Sequence, residues 1–112
     1  MVRPAPFEVR SEFEADAGCL IIVGELDIAT TPQLQEAVRA TIARGVRELT
    51  IDLRELSFMD SSGLRLLITL HEHAGNEGWI LRLLKPAEPA LTILVLTGAD
   101  KNLPFVEDPG PP

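Results

Sequence analysis

The 112-residue chain has no tyrosine, one tryptophan and one cysteine. With aromatics at only 4% of residues, it lacks the stacking platforms used by proteins that bind single-stranded nucleic acid. The lone thiol, Cys19, excludes an internal disulfide, and its apolar setting in "CLIIV" predicts a buried, unreactive side chain. Basic residues are in the minority, ten against seventeen acidic ones, and the net charge of −7 repels a phosphate backbone. Direct nucleic-acid binding is therefore not expected, and a basic protein partner suits the chain better. No apolar run approaches the ~18 residues of a membrane span, which argues against membrane insertion. The N-terminal "MVRPAPFEVRSEFEADAG" sets acids and prolines where a secretory signal needs an unbroken apolar stretch, so a cytoplasmic location is expected.

What the chain does have is 46% apolar residues, enough for one core, in a length that suits one domain. We place that domain at residues 1–108 and read 109–112, "PGPP", as a stiff tail without a fold of its own. "FEVRSEF" alternates apolar and polar residues as a half-buried edge strand does, and "CLIIVGEL" reads as a central strand covered on both faces. In "ATTPQLQEAVRATIARG", Thr31 is the expected N-cap, Pro32 opens a helix and Gly45 stops it. Leu34, Ala37, Val38 and Ile42 make its core stripe. A third strand follows in "RELTIDLREL", with Leu49, Ile51 and Leu53 alternating against Thr50, Asp52 and Arg54.

A second helix is predicted from Ser61 to about Ala74, burying Leu64, Leu67, Ile68, Leu70 and Ala74 and ending at "GNEG". "WILRLLKP" is a fourth strand. "EPALTILVLT" favours a short helix, and "LPFVED" can form a last strand. The whole is an α/β fold: a mixed, mostly parallel sheet of four to five strands with helices packed on it.

In open sheets of this kind, function gathers at the carboxyl ends of the parallel strands. Two junctions lie there, "GELDIATTP" and "FMDSSGL". At the second, unpaired N–H groups and the positive end of a helix suit a phosphoryl group carried on a serine. The same residues also suit a plain helix cap by Asp60 or Ser61, and residue types alone leave both readings open. Gly63 adds a hint, because glycine in a first helical turn costs ~1 kcal/mol relative to alanine and calls for a reason such as close approach of another backbone. Asp27 reads from its position as a turn acid after a strand.

The pairing of "GELDIATTPQLQEAV" with "LTIDLRELSFMDSSGLRLL", followed by "LRLLKPAEPA" and "LTGADKNLPFVED", resembles the STAS domain of bacterial anti-sigma factor antagonists over residues 7–107. The resemblance implies partner switching. Ser61 would be phosphorylated by an anti-sigma factor that is itself a serine kinase, with Ser62 as the runner-up. Unphosphorylated, the protein would bind the kinase and free a sigma factor. Phosphorylated, it would let go until a phosphatase resets it. The implied contact surface comprises Asp27, Thr30, Thr31, Asp60, Ser61, Ser62, Gly63 and Leu64. The other role that STAS domains imply is that of a subunit in a lipid-transport or sensing assembly, without phosphorylation. The third helix departs from the family's charged pattern. Outward-facing residues among Ile93, Val95 and Leu96 would offer a partner or self-association surface, unless the helix is simply packed more deeply.

Catalysis is not expected. Ten residues of helix put His71 ~15 Å from Ser61, and "DSSG" is not a G-x-S-x-G elbow. "HEH" at 71–73 lacks the i, i+4 spacing of a helical metal pair, so no metal is assigned and the histidines read as solvated. With no G-x-x-x-x-G-K-[ST] run, no nucleotide or other cofactor is implied.

Overall fold

The computed structural model describes residues 7–107, so the expected tail at 109–112 lies outside the described residues. Five strands and four helices are arranged in the order β1 (Glu8–Glu14), β2 (Ala17–Leu26), α1 (Thr31–Ala43), β3 (Glu48–Asp52), β4 (Leu56–Met59), α2 (Ser61–Glu77), β5 (Ile80–Leu84), α3 (Ala90–Leu96) and α4 (Ala99–Asn102). β1 and β2 form an antiparallel hairpin, and β2, β3 and β5 run parallel in that spatial order. This is the mixed, mostly parallel α/β sheet expected from the sequence.

Register explains the core. Leu20, Ile51 and Leu83 lie in one row across β2, β3 and β5, with Gly18, Leu49 and Leu81 in another. These leucines and isoleucines are buried, as are Leu34 and Val38 of α1 and Leu67 and Leu70 of α2. The opposite face is different. There Cys19 sits in a row with Glu12, Thr50 and Arg82, and Ile21 with Arg10 and Asp52. β2 is therefore sealed on one face and only half-covered on the other, contrary to the reading of its unbroken apolar run. Cys19 is half-buried rather than buried. Its thiol is pushed above its ordinary value by burial and by the charges of Asp52 and Glu12, which keeps it protonated.

Four further expectations are corrected. The cap of α1 is Thr30, with Thr31 the first helical residue. Ile68 is 42% exposed, and Leu66 takes its place in the buried stripe of α2, which runs on to Glu77. "LPFVED" contributes only a bridge between Phe105 and Leu83. β4 is a separate strand that the sequence pattern hid.

β4 is the element that brings the second junction to the first. β3 parts from β2 after Asp52, the chain turns through Leu53 to Glu55, and β4 rejoins β2 further along, where Leu26 pairs with Met59. The register shifts at Gly24, whose φ of 104° belongs to the left-handed region where a side chain is disfavoured. This detour carries the chain to Asp60 beside the end of β2.

At the turn, Asp52 is buried and receives the Arg54 guanidinium through bonds of 3.0 and 2.9 Å, plus the Arg54 N–H at 3.0 Å. Burial acts to raise the Asp52 carboxyl, but these bonds and the charge of Arg54 outweigh it and hold it below the ordinary value of 3.8. A folded-state value below the unfolded one contributes stability above the unfolded value and loses it as pH falls through the folded one. We therefore expect the urea midpoint to fall more steeply below pH 3.8 in the parent chain than in Asp52→Asn; parallel curves would contradict this role.

Candidate functional site

The two junctions meet. The N–H of Asp60 donates to the carbonyl of Leu26 at 3.2 Å, which locks the start of α2 against the end of β2. A Cβ at position 63 would stand 2.9 Å from that same carbonyl oxygen and 2.7 Å from Met59 Cγ. The glycine of "DSSG" is thus required by close approach of another backbone.

Asp60 is the N-cap of α2. Its carboxylate accepts from the N–H groups of Ser62 at 2.8 Å and Gly63 at 3.2 Å. The helix start therefore does not present all its N–H groups unpaired, as the sequence suggested, because two are held by Asp60. With the cap role filled, Ser61 is left as the first helical residue. It is exposed, and its hydroxyl makes no hydrogen bond among the described residues. Ser62 is partly buried.

Asp27 is occupied as well. Its Oδ1 accepts from the N–H groups of Ala29 at 2.9 Å and Thr30 at 3.1 Å. The Thr30 hydroxyl accepts from the Asp27 N–H at 2.9 Å and donates to the Glu25 carbonyl at 2.8 Å. The loop before α1 is stapled by these two side chains, and Asp27 makes no hydrogen bond to Ser61 among the described residues. The turn-acid reading describes its contacts.

Between the starts of α1 and α2 lies an open groove of about 360 Å³, lined by Ile28, Thr31, Gln35, Ser61, Ser62, Arg65, Leu66 and Thr69. Of the residues expected at the surface, Thr31, Ser61 and Ser62 line it. Gly63 and Leu64 are buried and act from beneath. Sequence reasoning missed Ile28, which is 77% exposed, and Arg65. The signal for Arg65 was its four-residue step from Ser61, which puts both on one helix face. His71 and His73 are exposed on α2, away from this groove.

The family model described as Mlab, STAS domain, matches residues 9–107. The anti-sigma-B factor antagonist of Bacillus subtilis is 30% identical over 77 residues, covering 69% of this chain and 70% of that protein. The chain belongs to the STAS-domain family of anti-sigma factor antagonists. A crystal structure of an anti-sigma factor antagonist from Mycobacterium paratuberculosis superposes on this STAS domain with a TM-score of 0.80 at 29% identity, covering 96% of this chain and 92% of the other. The anti-sigma-B factor antagonist of Staphylococcus aureus strain NCTC 8325 is 40% identical over 45 residues, and that match spans 40% of this chain and only 42% of that protein.

Because the Cβ contact is with backbone and the base of a packed methionine, neither can move cheaply. Gly63→Ala is expected to destabilise the STAS domain by roughly 1–3 kcal/mol in urea unfolding, although alanine favours a helix. An alanine variant of equal or greater stability would show that the contact does not constrain the site.

Proposed function

We propose that the protein is an anti-sigma factor antagonist that works by partner switching, with Ser61 as its phosphorylation site. The observation that carries the reading is the division of labour at the start of α2. Asp60 caps the helix, so the Ser61 hydroxyl is exposed and uncommitted at the junction of two strand ends. A serine needed only as a cap would have its oxygen turned onto the backbone.

In this reading the unphosphorylated protein binds an anti-sigma factor serine kinase through the groove and the loop at Asp27, Thr30 and Thr31. ATP supplies the phosphoryl group. The Ser61 Oγ forms a bond to the γ-phosphorus, the bridging P–O bond breaks, ADP leaves with the electron pair, and the hydroxyl proton passes to a base of the kinase. The product adds about −1.5 to −2 charge beside Asp60 and Asp27, and like-charge repulsion with desolvation weakens the complex. The positive end of α2 keeps the modified protein folded. A phosphatase restores the hydroxyl. The protein contributes the substrate side chain and no catalysis, and it works in the cytoplasm where its kinase is. Residues 1–108 act as one unit.

A second reading is a STAS subunit of a lipid-transport or sensing assembly, or a self-associating scaffold, that docks without modification. Its support is the match to the Mlab description and the exposure of Val95 and Leu96, 54% and 80%, on α3.

Ser61→Ala is expected to bind the kinase but to accept no phosphoryl group from ATP in a purified reaction. An unchanged rate of labelling would move the site elsewhere. Ser61→Asp is expected to keep the fold by circular dichroism and to bind the kinase at least tenfold more weakly, about 1.4 kcal/mol. Tight binding by the folded variant would contradict repulsion as the release mechanism.

A further inference from the structure

Of the described arginines, only Arg47 and Arg65 have side chains without a hydrogen-bond, ion-pair or ring partner among the described residues, and of these two Arg65 is the one that lines the groove with Ser61. Among the described residues, Arg10, Arg39, Arg54 and Arg82 each hold a carboxylate, and Arg44 lies over the Phe13 ring. Arg65 is exposed and makes no hydrogen bond, ion pair or ring contact with a described residue. Its neighbours on the same face of α2 are Ser61 and Ser62 on one side and Ile68 and Thr69 on the other, none of them acidic. Helical side chains lean toward the N-terminus, so Arg65 leans over the turn that carries Ser61. The groove they share has only Ile28, Thr31 and Gln35 on its opposite wall, which is uncharged. The nearby carboxylates are turned away, Asp60 onto the Ser62 and Gly63 N–H groups and Asp27 onto its own loop.

We propose that Arg65 is the intramolecular receiver of a phosphoryl group on Ser61. A residue four positions on stands about 6 Å away at Cβ, well within the reach of an arginine, whose planar fork suits two phosphoryl oxygens at once. The inference rests on Ser61 as the modified residue and adds the regulation of that site. Phosphorylation then changes the surface twice, adding an anion and withdrawing an exposed cation that a partner's acidic group can otherwise use. Arg65 also compensates for the N–H groups that Asp60 has taken from the helix start. A phosphoryl group on Ser62 would meet a partly buried position, and Ser61 is the better aligned of the two.

The test installs phosphoserine at position 61 of the full chain during translation, so it needs no kinase. Phosphorus NMR then tracks the second ionisation of the phosphoryl group with Arg65 present, with Arg65→Ala and with Arg65→Lys. The expected result is a midpoint roughly one pH unit lower with arginine than with alanine, lysine falling between them, and a gap that narrows as salt is raised. Superimposable titrations for the three chains overturn the proposal, as does a larger arginine effect on phosphoserine at 62 than at 61. Arg65 is exposed and has no polar or ring partner among the described residues, so all three chains should give the same unfolding midpoint before modification. Failure of a kinase to label Ser61 would sink the switch without altering this titration, and the reverse also holds.

Discussion

The site depends on one backbone oxygen. The carbonyl of Leu26 accepts the Asp60 N–H and occupies the space that a side chain at position 63 would need. A strand end and a helix start are thereby pressed together to a separation that only glycine permits. Once they are, the cap falls to Asp60, Ser61 becomes the first residue of the helix, and its hydroxyl has no backbone group to satisfy. Exposure of that hydroxyl is a consequence of the packing beneath it. The constraint also links stability to function, because the contact that makes the core continuous across Leu26, Met59 and Leu64 is the one that presents the serine.

Charge around the site is arranged by the same two caps. Both acids at the junction commit one carboxylate oxygen to backbone N–H groups, so neither binds the serine, yet both keep a negative charge close to it. A phosphoryl group therefore enters a region whose fixed hydrogen bonds are already made. In the proposed switch the fold tolerates it through the helix field and Arg65, while a docked partner, which excludes water, does not. The asymmetry between a solvated and a desolvated anion is what turns a single modification into dissociation.

Much of this was legible in the sequence. Alternation in "LTIDL" and the apolar stripe of "LQEAVRATIA" mark elements that the backbone forms, the stop in "GNEG" was legible but placed about three residues early, and the oddity of glycine in a first turn pointed to a close approach. β4 was not legible, because four residues with exposed Ser57 and Phe58 carry no strand period, and because the break at Leu53 to Glu55 looks like a continuation of β3. The half-open face of β2 was hidden by a run of apolar residues that end up beside charged neighbours on other strands, a fact of register. The cap at Thr30 rather than Thr31 was decided by the turn that Asp27 builds, since the two threonines are equivalent in type. The partners of Asp27 could only come from geometry.

Site-resolved phosphopeptide mass spectrometry on the protein isolated from its own cells, growing and starved, addresses the central claim most directly. A phosphoryl group on Ser61 whose occupancy changes between the two conditions is the predicted result. Its absence from Ser61 in both would contradict the switch and leave "DSSG" as the capped, glycine-tightened start of a helix in a docking subunit.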